Sequence, residues 1–493
     1  MNQTDRTFIL TGLVVSILMA MHLLPNLFIG DTELRHVNIL CDVMPETYQL
    51  RDAIDVIPTP QPPKQFVAHK SNNKDKDQNR VESNQPVKNE SLTGDSIKLL
   101  TAKEESTKTA KDSIIQTTRL DGVTMIADYS EGAPGGMGHF YEQLGSASKR
   151  LVRIAYYGDS FIEGDILTAD LREMLQNRFG GSGVGWIHCT DPLGGFRRTV
   201  KMKSVGLKEY EVVKKPYSHQ AEGIAQRYYV PQENSRTWAS GSKAKQNLEQ
   251  WHQTSLYLRS EKGLNVTTYA NSDTIGTKHI GGSSQVQLLA HQQNNMTAVG
   301  FQFTGVTSPT YIYGMALESN NGVILDNFSM RGSAGNTISK IPLQTLNDFA
   351  RLRNYDLIVL HFGLNVANEK SHASAYKAYI KKMQEAIEHL QQAYPHASIL
   401  VVSMPDRDQR TAAGVRTMKG VESLVAYQQI MAGNCHVAYF NLFEAMGGRE
   451  SMKSLVDKGM ANKDYTHLTF SGGRKLAQLI YDGLMAGYET YQH

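Results

Sequence analysis

The sequence predicts an α/β fold in which a five-stranded parallel sheet lies between layers of helices and is interrupted by an inserted β-sandwich. Short apolar segments alternate with amphipathic helical patterns on both sides of a central interval. Within that interval, residues 197–317, the pattern changes to alternating polar and apolar residues. The segments 355–362 and 397–404 are almost continuously apolar, which is typical of strands buried in a parallel sheet.

Five segments are predicted as strands of the parallel sheet, and a helical pattern follows each of them. The strands are predicted at 154–157, 323–330, 355–362, 397–404 and 436–443. The helices are predicted to end near 179 and 352 and to cover 375–394, 418–432 and 470–485. Right-handed crossovers between parallel strands place such helices on both faces of the sheet, which makes three layers.

The composition excludes several classes of function. The chain has 493 residues, and its 51 basic and 48 acidic side chains leave a net charge of +3, so no global field favours nucleic acid. Its three cysteines, Cys41, Cys189 and Cys435, are too few and too scattered for a disulfide scaffold or a structural zinc site. A bridge between Cys189 and Cys435 stays an open alternative.

An apolar segment near the N-terminus predicts a membrane anchor. Residues 8–29 contain no acidic or basic side chain apart from one histidine, and they are about long enough to cross a bilayer as a helix. Arg6 precedes this segment, and Asp31 and Glu33 follow it. This arrangement predicts a cytoplasmic N-terminus with everything downstream of the anchor exported. A cleaved signal peptide is the alternative, but no clear small-x-small cleavage site is present.

A polar tract separates the anchor from the folded part. Residues 58–113 contain few apolar side chains, so they cannot bury enough surface to offset their conformational entropy, and we predict a disordered tether. The expected order is a transmembrane anchor, a membrane-proximal segment with the linker, a first α/β part, the inserted β-sandwich and a second α/β part. The predicted boundaries are 1–30, 31–113, 114–196, 197–317 and 318–493.

The predicted β insertion is rich in aromatic side chains. Segments such as SLYLRS, LNVTTYA and AVGFQFTG alternate polar and apolar residues between Gly, Asn and Ser clusters, which is typical of an antiparallel sandwich. Its aromatic residues either form a platform for sugar rings or belong to the core. These are Tyr228, Tyr229, Trp238, Trp251, Tyr257, Tyr269, Tyr311 and Tyr313.

Polar residues that suit acyl transfer follow the predicted strands. Ser160 follows the first strand in Gly-Asp-Ser, Gly335 follows the second in Ser-Ala-Gly-Asn-Thr, and Asn365 follows the third in Gly-Leu-Asn. Asp464 and His467 lie in Asp-Tyr-Thr-His before the last helix. A carboxylate three residues ahead of a histidine can fold back and hold an imidazole nitrogen. Each motif alone has an ordinary reading as a turn or cap, but these loops are predicted to meet at one edge of the sheet.

The four motifs, in this order and at these strand ends, resemble those of the SGNH (GDSL-like) hydrolases, from about residue 114 to the C-terminus. The resemblance implies the SGNH-type three-layer fold, with Ser160 as the nucleophile. His467 would be the general base and then acid, and Asp464 its orienting partner. The implied oxyanion hole consists of the backbone N–H groups of Ser160 and Gly335 and the side-chain amide of Asn365. The resemblance implies no metal or cofactor.

The chain departs from simple members of this family in two ways. Val366 stands where an acidic residue is common, which removes a loop-ordering interaction and leaves the amide donor in place. The serine and the Gly335 motif are 335 − 160 = 175 positions apart, and the β insertion fills the gap. This layout resembles the bacterial peptidoglycan O-acetylesterases, whose catalytic domain carries an inserted carbohydrate-binding-module-like sandwich.

The resemblance implies removal of O-acetyl groups from a cell-envelope polysaccharide, with peptidoglycan as the expected substrate, through an acetyl-serine intermediate. Two alternatives stay open. The same triad would serve a polysaccharide O-acetyltransferase that works beside a membrane-bound O-acyltransferase partner. The chain would otherwise be a catalytically inactive glycan-binding protein of the envelope. The sequence does not determine the acyl group, the sugar or the oligomeric state.

Overall fold

The computed structural model describes residues 28–29, 32–33, 119–120, 122–133, 135–371 and 373–492. The predicted tether at 58–113 therefore lies outside the described residues, as does the predicted membrane helix at 8–29 apart from its last two residues. Those two form β1 (Phe28–Ile29), which pairs with β2 (Thr32–Glu33) as a short antiparallel hairpin, so they are extended where a helix was predicted. Among the described residues, no helix combines the length and the apolar composition needed to cross a membrane.

The other described strands and helices follow in chain order. The strands are β3 (Arg119–Leu120), β4 (Val123–Thr124), β5 (Ala127–Asp128), β6 (Leu151–Gly158), β7 (Gly185–Ile187), β8 (Lys201–Glu211), β9 (Arg227–Ser240), β10 (Trp251–Ser260), β11 (Leu264–Ala270), β12 (Asp273–Ile280), β13 (Gln287–Met296), β14 (Ala298–Thr304), β15 (Thr310–Glu318), β16 (Gly322–Ser329), β17 (Leu357–His361), β18 (Ser398–Val402), β19 (Asp408–Thr411), β20 (Gly414–Thr417) and β21 (Ala438–Phe440). The helices are α1 (Met137–Gly145), α2 (Thr168–Phe179), α3 (Leu343–Leu352), α4 (Ala373–Ala393), α5 (Val421–Asn434), α6 (Leu442–Ala445), α7 (Ser451–Asp457) and α8 (Phe470–Gln492).

The predicted parallel sheet is confirmed. Its five strands pair in parallel in the order β16-β6-β17-β18-β21. The two-residue strand β5 adds an antiparallel edge beside β21, and it is too short to leave a pattern in the sequence. Helix α2 packs against α8 and β16, while α4 packs against α3 and α5, so the helices form two groups. The central strands β6 and β17 are almost wholly buried, as their continuous apolar pattern indicates.

The fifth strand is shorter than predicted. The sequence predicts a strand over 436–443, whereas β21 covers only Ala438–Phe440. His436 precedes it with φ +53°, a left-handed conformation that does not continue a strand. Asn441 follows it as the N-cap of α6, since its side-chain oxygen accepts the backbone N–H of Glu444 at 3.0 Å. The strand prediction at both ends of this segment is therefore wrong.

A separate antiparallel β domain lies between the two parts of the α/β domain in the sequence, as predicted. Its nine strands, β7 to β15, form one antiparallel network whose two halves meet where Ile312 pairs with Tyr229. Both halves contribute side chains to one hydrophobic cluster, which includes Trp251 and Phe301. Cys189 belongs to this cluster and is free, and Cys435 is also free and buried, so the alternative of a bridge between them is wrong.

Most of the predicted aromatic platform is core. Of the eight aromatic residues, those that are buried are Tyr228, Tyr229, Trp251, Tyr257 and Tyr313. Trp238, Tyr269 and Tyr311 are half-buried. The interpretation of these side chains as core therefore holds for the five buried residues, whose rings have no face available for a sugar.

A buried ionic cluster joins the β domain to the parallel sheet. Arg353, which follows α3, donates to Glu318 at the end of β15 at 2.8 Å and to Asp326 of β16 at 2.7 Å. Arg153 of β6 donates to the second oxygen of Glu318 at 2.6 Å. Burial by itself would raise the pKa of Glu318, but the charges of Arg353 and Arg153 outweigh this effect and lower its pKa to about 2. Both carboxylates therefore have arginine partners, and these ion pairs join the β domain to the parallel sheet.

We expect Arg353→Met to lower the free energy of unfolding by about 3–5 kcal/mol, because it leaves two buried carboxylates without their shared cation. Arg351→Met is the matched control. Arg351 is 58% exposed and its contact with Asp348 measures 3.4 Å, so its loss should cost at most about 1 kcal/mol. Urea denaturation followed by tryptophan fluorescence measures both variants. Equal midpoints for the two variants would contradict a structural role for the cluster.

Candidate active site

The predicted serine lies on a tight turn at the carboxyl end of a central strand. Strand β6 ends at Gly158, and a 3-10 turn covers Ser160–Asp165. Asp159 caps this turn, since its Oδ1 atom accepts the backbone N–H of Phe161 at 2.9 Å. Ser160 is half-buried, and its backbone N–H has no acceptor among the described residues. The turn therefore presents both the hydroxyl and a free N–H group at the sheet edge.

A histidine and a carboxylate from the far end of the chain meet this serine. The Nε2 atom of His467 lies 3.0 Å from Ser160 Oγ, across a sequence separation of 307 residues. The Nδ1 atom of His467 lies 2.8 Å from Asp464 Oδ2. With a proton on Nδ1 that is donated to Asp464, the Nε2 lone pair is free to accept the serine hydroxyl proton. The arrangement is thus a continuous hydrogen-bond route from hydroxyl to carboxylate.

The Asp464 loop holds the carboxylate in place by local hydrogen bonds. Asp464 Oδ1 accepts the backbone N–H groups of Thr466 and His467, each at 3.0 Å. Burial acts to raise the pKa of Asp464, but the hydrogen bonds from His467 and Thr466 outweigh it and lower the pKa below the ordinary value. The side chains of His467 and Asp464 are 43% and 49% exposed. The site is therefore an open one that water reaches from outside.

The second predicted loop brings Gly335 close to the sheet. Gly335 has φ +84°, and a Cβ atom built on it would lie 2.6 Å from the ring of Phe362. Only glycine fits both the backbone conformation and this packing. Its N–H group donates to Ser333 Oγ at 3.1 Å. The predicted oxyanion donor is thus engaged by a side chain of its own loop in this structure.

The third predicted loop places Asn365 between the first two. Its side-chain nitrogen donates to Asp159 Oδ2 at 3.2 Å and to the carbonyl of Ser333 at 2.9 Å. Both amide hydrogens are therefore occupied within the protein. The structure gathers the predicted donors in one place, and the N–H of Ser160 is the one that has no protein acceptor among the described residues.

A buried polar cluster supports the serine turn from below. Asp165, at the end of the turn, is fully buried and accepts from Arg197 Nε at 3.0 Å and from Asn327 Nδ2 at 3.0 Å. The same Asn327 nitrogen donates to the carbonyl of Ile162 at 2.8 Å. Burial acts to raise the pKa of Asp165, but the charges of Arg172 and Arg197 lower it far below the ordinary value. The sequence analysis missed this cluster, because Arg197 and Asn327 come from two segments that lie far from Asp165 in the sequence.

The loop after the fourth strand is the one strand-end loop for which the sequence analysis makes no prediction. It contains Arg407, which is half-buried and donates to the carbonyl of Leu364 at 2.9 Å. The only sequence signal was the charged run PDRD after an apolar strand. In the described part of the chain, no group of three or more His, Cys, Asp or Glu side chains is arranged to hold a metal ion.

This chain shares its fold with a solved structure, although no family model and no curated protein matches its sequence. A solved peptidoglycan O-acetylesterase is similar with a TM-score of 0.61 and 20% identity, covering 74% of this chain and 99% of that chain. A family two carbohydrate esterase from Clostridium thermocellum has a TM-score of 0.26 and 8% identity over 53% of this chain and 95% of that one. An acetyl xylan esterase has a TM-score of 0.25 and 16% identity, over 32% and 80%.

Only the first of these likenesses is strong enough to support an argument, and what it shows is a shared fold. Nearly the whole of that peptidoglycan O-acetylesterase structure aligns with this chain, although four residues in five differ. The resemblance to SGNH hydrolases with an inserted β domain is therefore confirmed at the level of the fold.

We expect Asp159 to make stability depend on pH. Burial raises its pKa from 3.8 to about 6, so between these values the folded state keeps a proton that the unfolded state has lost. Stability therefore falls as the pH rises from about 4 to about 6, by up to about 3 kcal/mol from this group. Asp159→Asn cannot ionise and loses this slope.

Thermal or urea unfolding of both proteins from pH 4 to pH 7 measures the effect. The stability of the Asn variant relative to the wild type should increase over this range and then level off. Parallel curves for the two proteins would show that Asp159 does not titrate as proposed.

Proposed function

We propose that this protein is a serine esterase that removes O-acetyl groups from a cell-envelope polysaccharide, with peptidoglycan as the first substrate to test. The single observation that carries the proposal is the hydrogen-bond route from Ser160 through His467 to Asp464. The shared fold with a peptidoglycan O-acetylesterase supports the choice of substrate.

The proposed reaction has two halves. The Oγ atom of Ser160 attacks the acetyl carbonyl carbon while His467 Nε2 takes the hydroxyl proton. Asp464 stabilises the imidazolium that results, and the tetrahedral intermediate collapses as the sugar oxygen leaves with the proton from Nε2. In the second half, His467 takes a proton from water, the hydroxide attacks the acetyl-serine, and acetate leaves as Ser160 recovers its proton.

The negative charge on the intermediate needs hydrogen-bond donors. The N–H of Ser160 has no protein acceptor among the described residues, so it is ready to bind an oxyanion. Asn365 would give up one of its two present acceptors, and the longer of these contacts is the one to Asp159, at 3.2 Å. Gly335 would likewise exchange Ser333 Oγ for the oxyanion. In this proposal the oxyanion takes the place of one internal acceptor at each of these two donors, and it accepts charge-assisted hydrogen bonds from them.

Exposure of the site supports hydrolysis. The His467 side chain is 43% exposed, so water can reach the acetyl-serine from the outside. A transferase with the same triad would pass the acetyl group to a sugar hydroxyl instead. In this proposal the esterase domain is the α/β part of the chain on either side of strands β7 to β15, and the apolar segment 8–29 holds it at the outer side of the membrane.

We expect Ser160→Ala to lower the release of acetate from O-acetylated peptidoglycan by about 10³-fold or more, because the nucleophile is lost. The rate of acetate release from O-acetylated peptidoglycan is compared with the rate from acetylated xylan, for the wild type and for the variant. Ser471→Ala is the control, since Ser471 is exposed at the start of α8 and its hydroxyl contacts only Thr469 among the described residues. Full activity of Ser160→Ala would refute the proposal. Acetylated sugar in place of acetate, when chitooligosaccharide acceptors are added, would identify a transferase.

We expect Asn365→Ala to lower kcat about a hundredfold or more, because an oxyanion donor is removed. Asn368→Ala is the matched control in the same loop. Asn368 is exposed, and its side chain accepts the N–H of Lys370 at 2.9 Å. Turnover of p-nitrophenyl acetate measures both variants. An unchanged kcat for the Asn365 variant would exclude this residue from the oxyanion hole.

A further inference from the structure

The segment after β18 lies along two loops of the site at once. Arg407 Nη1 donates to the carbonyls of Leu364 at 2.9 Å and Ala367 at 3.3 Å, which flank Asn365. The next residue, Asp408, donates its backbone N–H to the carbonyl of Tyr465 at 3.2 Å, inside the Asp464–His467 loop. Arg407 is therefore held at the junction between the loop of Asn365 and the loop of the catalytic histidine.

The Arg407 guanidinium has no ionic partner. It is half-buried, and no carboxylate of the described residues lies within 4.0 Å of it. Arg172, Arg197 and Arg353 are buried elsewhere in the protein, and each forms an ion pair with a carboxylate. Partly burying a cation without a carboxylate partner costs free energy, which these three ion pairs offset. Among the described residues, Arg407 lacks such a partner, as does the half-buried Arg259 of the β domain, but Arg407 is the one of these two that lies between two loops of the site.

The hydrogen-bonding capacity of Arg407 is only partly used. The two carbonyls engage Nη1, while Nε and Nη2 have no acceptor in the described part of the chain. These two nitrogens form the edge of the guanidinium that binds a carboxylate through two parallel hydrogen bonds. Burial lowers the pKa of Arg407, whereas the charges of Asp464 and Asp159 act to raise it, so these carboxylates are near without pairing with it.

A second arginine adds positive charge to the same rim. Arg410 on β19 is exposed, and its guanidinium lies 5.5 Å from the centre of the Tyr465 ring. Tyr465 is the residue that follows Asp464. Arg407 and Arg410 therefore both place a guanidinium beside the histidine loop.

We propose that Arg407 is a specificity-determining residue that binds a carboxylate on the glycan, so that the protein prefers O-acetylated polysaccharides with acidic sugar units. This inference rests on the proposed function and names the substrate class of the same site. The carboxylate has two possible sources, the lactyl group of a muramoyl residue that carries no peptide and the acid group of a uronic acid. Both offer two coplanar oxygens to the free edge of the guanidinium.

The test compares acidic and neutral substrates in the full-length protein. The substrates are an acetylated xylo-oligosaccharide, the same oligosaccharide carrying glucuronic acid, and acetylated glycan strands from peptidoglycan that an amidase has freed of peptides. We expect the wild type to favour each acidic substrate over the neutral one by about tenfold or more in kcat/KM. Arg407→Met should bring this ratio to about one, mainly through KM, and Arg407→Lys should keep part of it.

Arg416→Met is the matched control. Arg416 lies on β20 of the same hairpin, is half exposed and faces Glu450 at 3.5 Å, so its loss changes the net charge equally. Its ratio of acidic to neutral turnover should match that of the wild type. A wild-type ratio of one, or an equal loss on acidic and neutral substrates in Arg407→Met, would overturn the proposal. The second outcome would make Arg407 a support for the loops instead.

Binding of the unacetylated glucuronic-acid oligosaccharide, measured by calorimetry, gives a readout that does not need turnover. It should weaken about tenfold or more in Arg407→Met and stay unchanged in Arg416→Met. If no substrate releases acetate while this difference in binding is present, the proposed esterase function fails and the carboxylate site stands. Equal binding by wild type and Arg407→Met overturns the site.

Discussion

Parallel pairing at the centre of the sheet determines where the candidate site forms. Gly158 at the end of β6 pairs with Ser329 of β16 on one side and with His361 of β17 on the other. Because parallel strands run in one direction, all three chains leave the sheet at the same edge. The loops that follow carry the serine, the glycine and the asparagine of the site. The histidine loop reaches this edge from the start of α8, which packs against α2 behind the serine turn.

The β domain interrupts the α/β domain between its first and second strands without disturbing this edge. Buried ion pairs stabilise the boundary between the β domain and the parallel sheet. Glu318 and Asp326 share Arg353, and Asp165 is satisfied by arginines and Asn327. Such clusters tolerate little change in geometry, since a buried charge that loses its partner lowers the stability of the folded state. They therefore fix how the insertion joins the sheet and, through Asp165, the shape of the turn that presents the serine.

Some hydrogen-bond donors of the site have acceptors within the protein, and others have none among the described residues. Asn365 and Gly335 have their donors engaged by Asp159 and Ser333, which keeps the loops ordered before a substrate arrives. The N–H of Ser160 and one edge of the Arg407 guanidinium have no protein partner among the described residues. The first belongs to the serine turn, and the second is held between the loops of Asn365 and His467. This division separates the chemistry at the ester, which the triad would perform, from recognition of the glycan.

Much of the fold and the site could be predicted from local patterns. The apolar segment of β17 shows a buried strand by itself, and Asp464 lies within one turn of His467, so their contact needs no distant partner. The wrong strand prediction at the end of segment 436–443 has a local cause. The apolar residues there suit either a strand or a short helix, and the N-cap hydrogen bond of Asn441 stabilises the helix. The role of the apolar segment 8–29 stays a prediction.

The sequence by itself determined the kinds of side chain at the strand ends, their order, and the presence of a β insertion between the first two strands. Only the tertiary structure decided which hydrogen bonds those side chains make. Ser160 meets His467 across 307 positions, Asn365 is shared between Asp159 and Ser333, and Arg407 is left without a carboxylate. The physical reason is that strand and helix patterns report which face of an element is buried, whereas a polar partner depends on which distant segments the packing brings within about 3 Å.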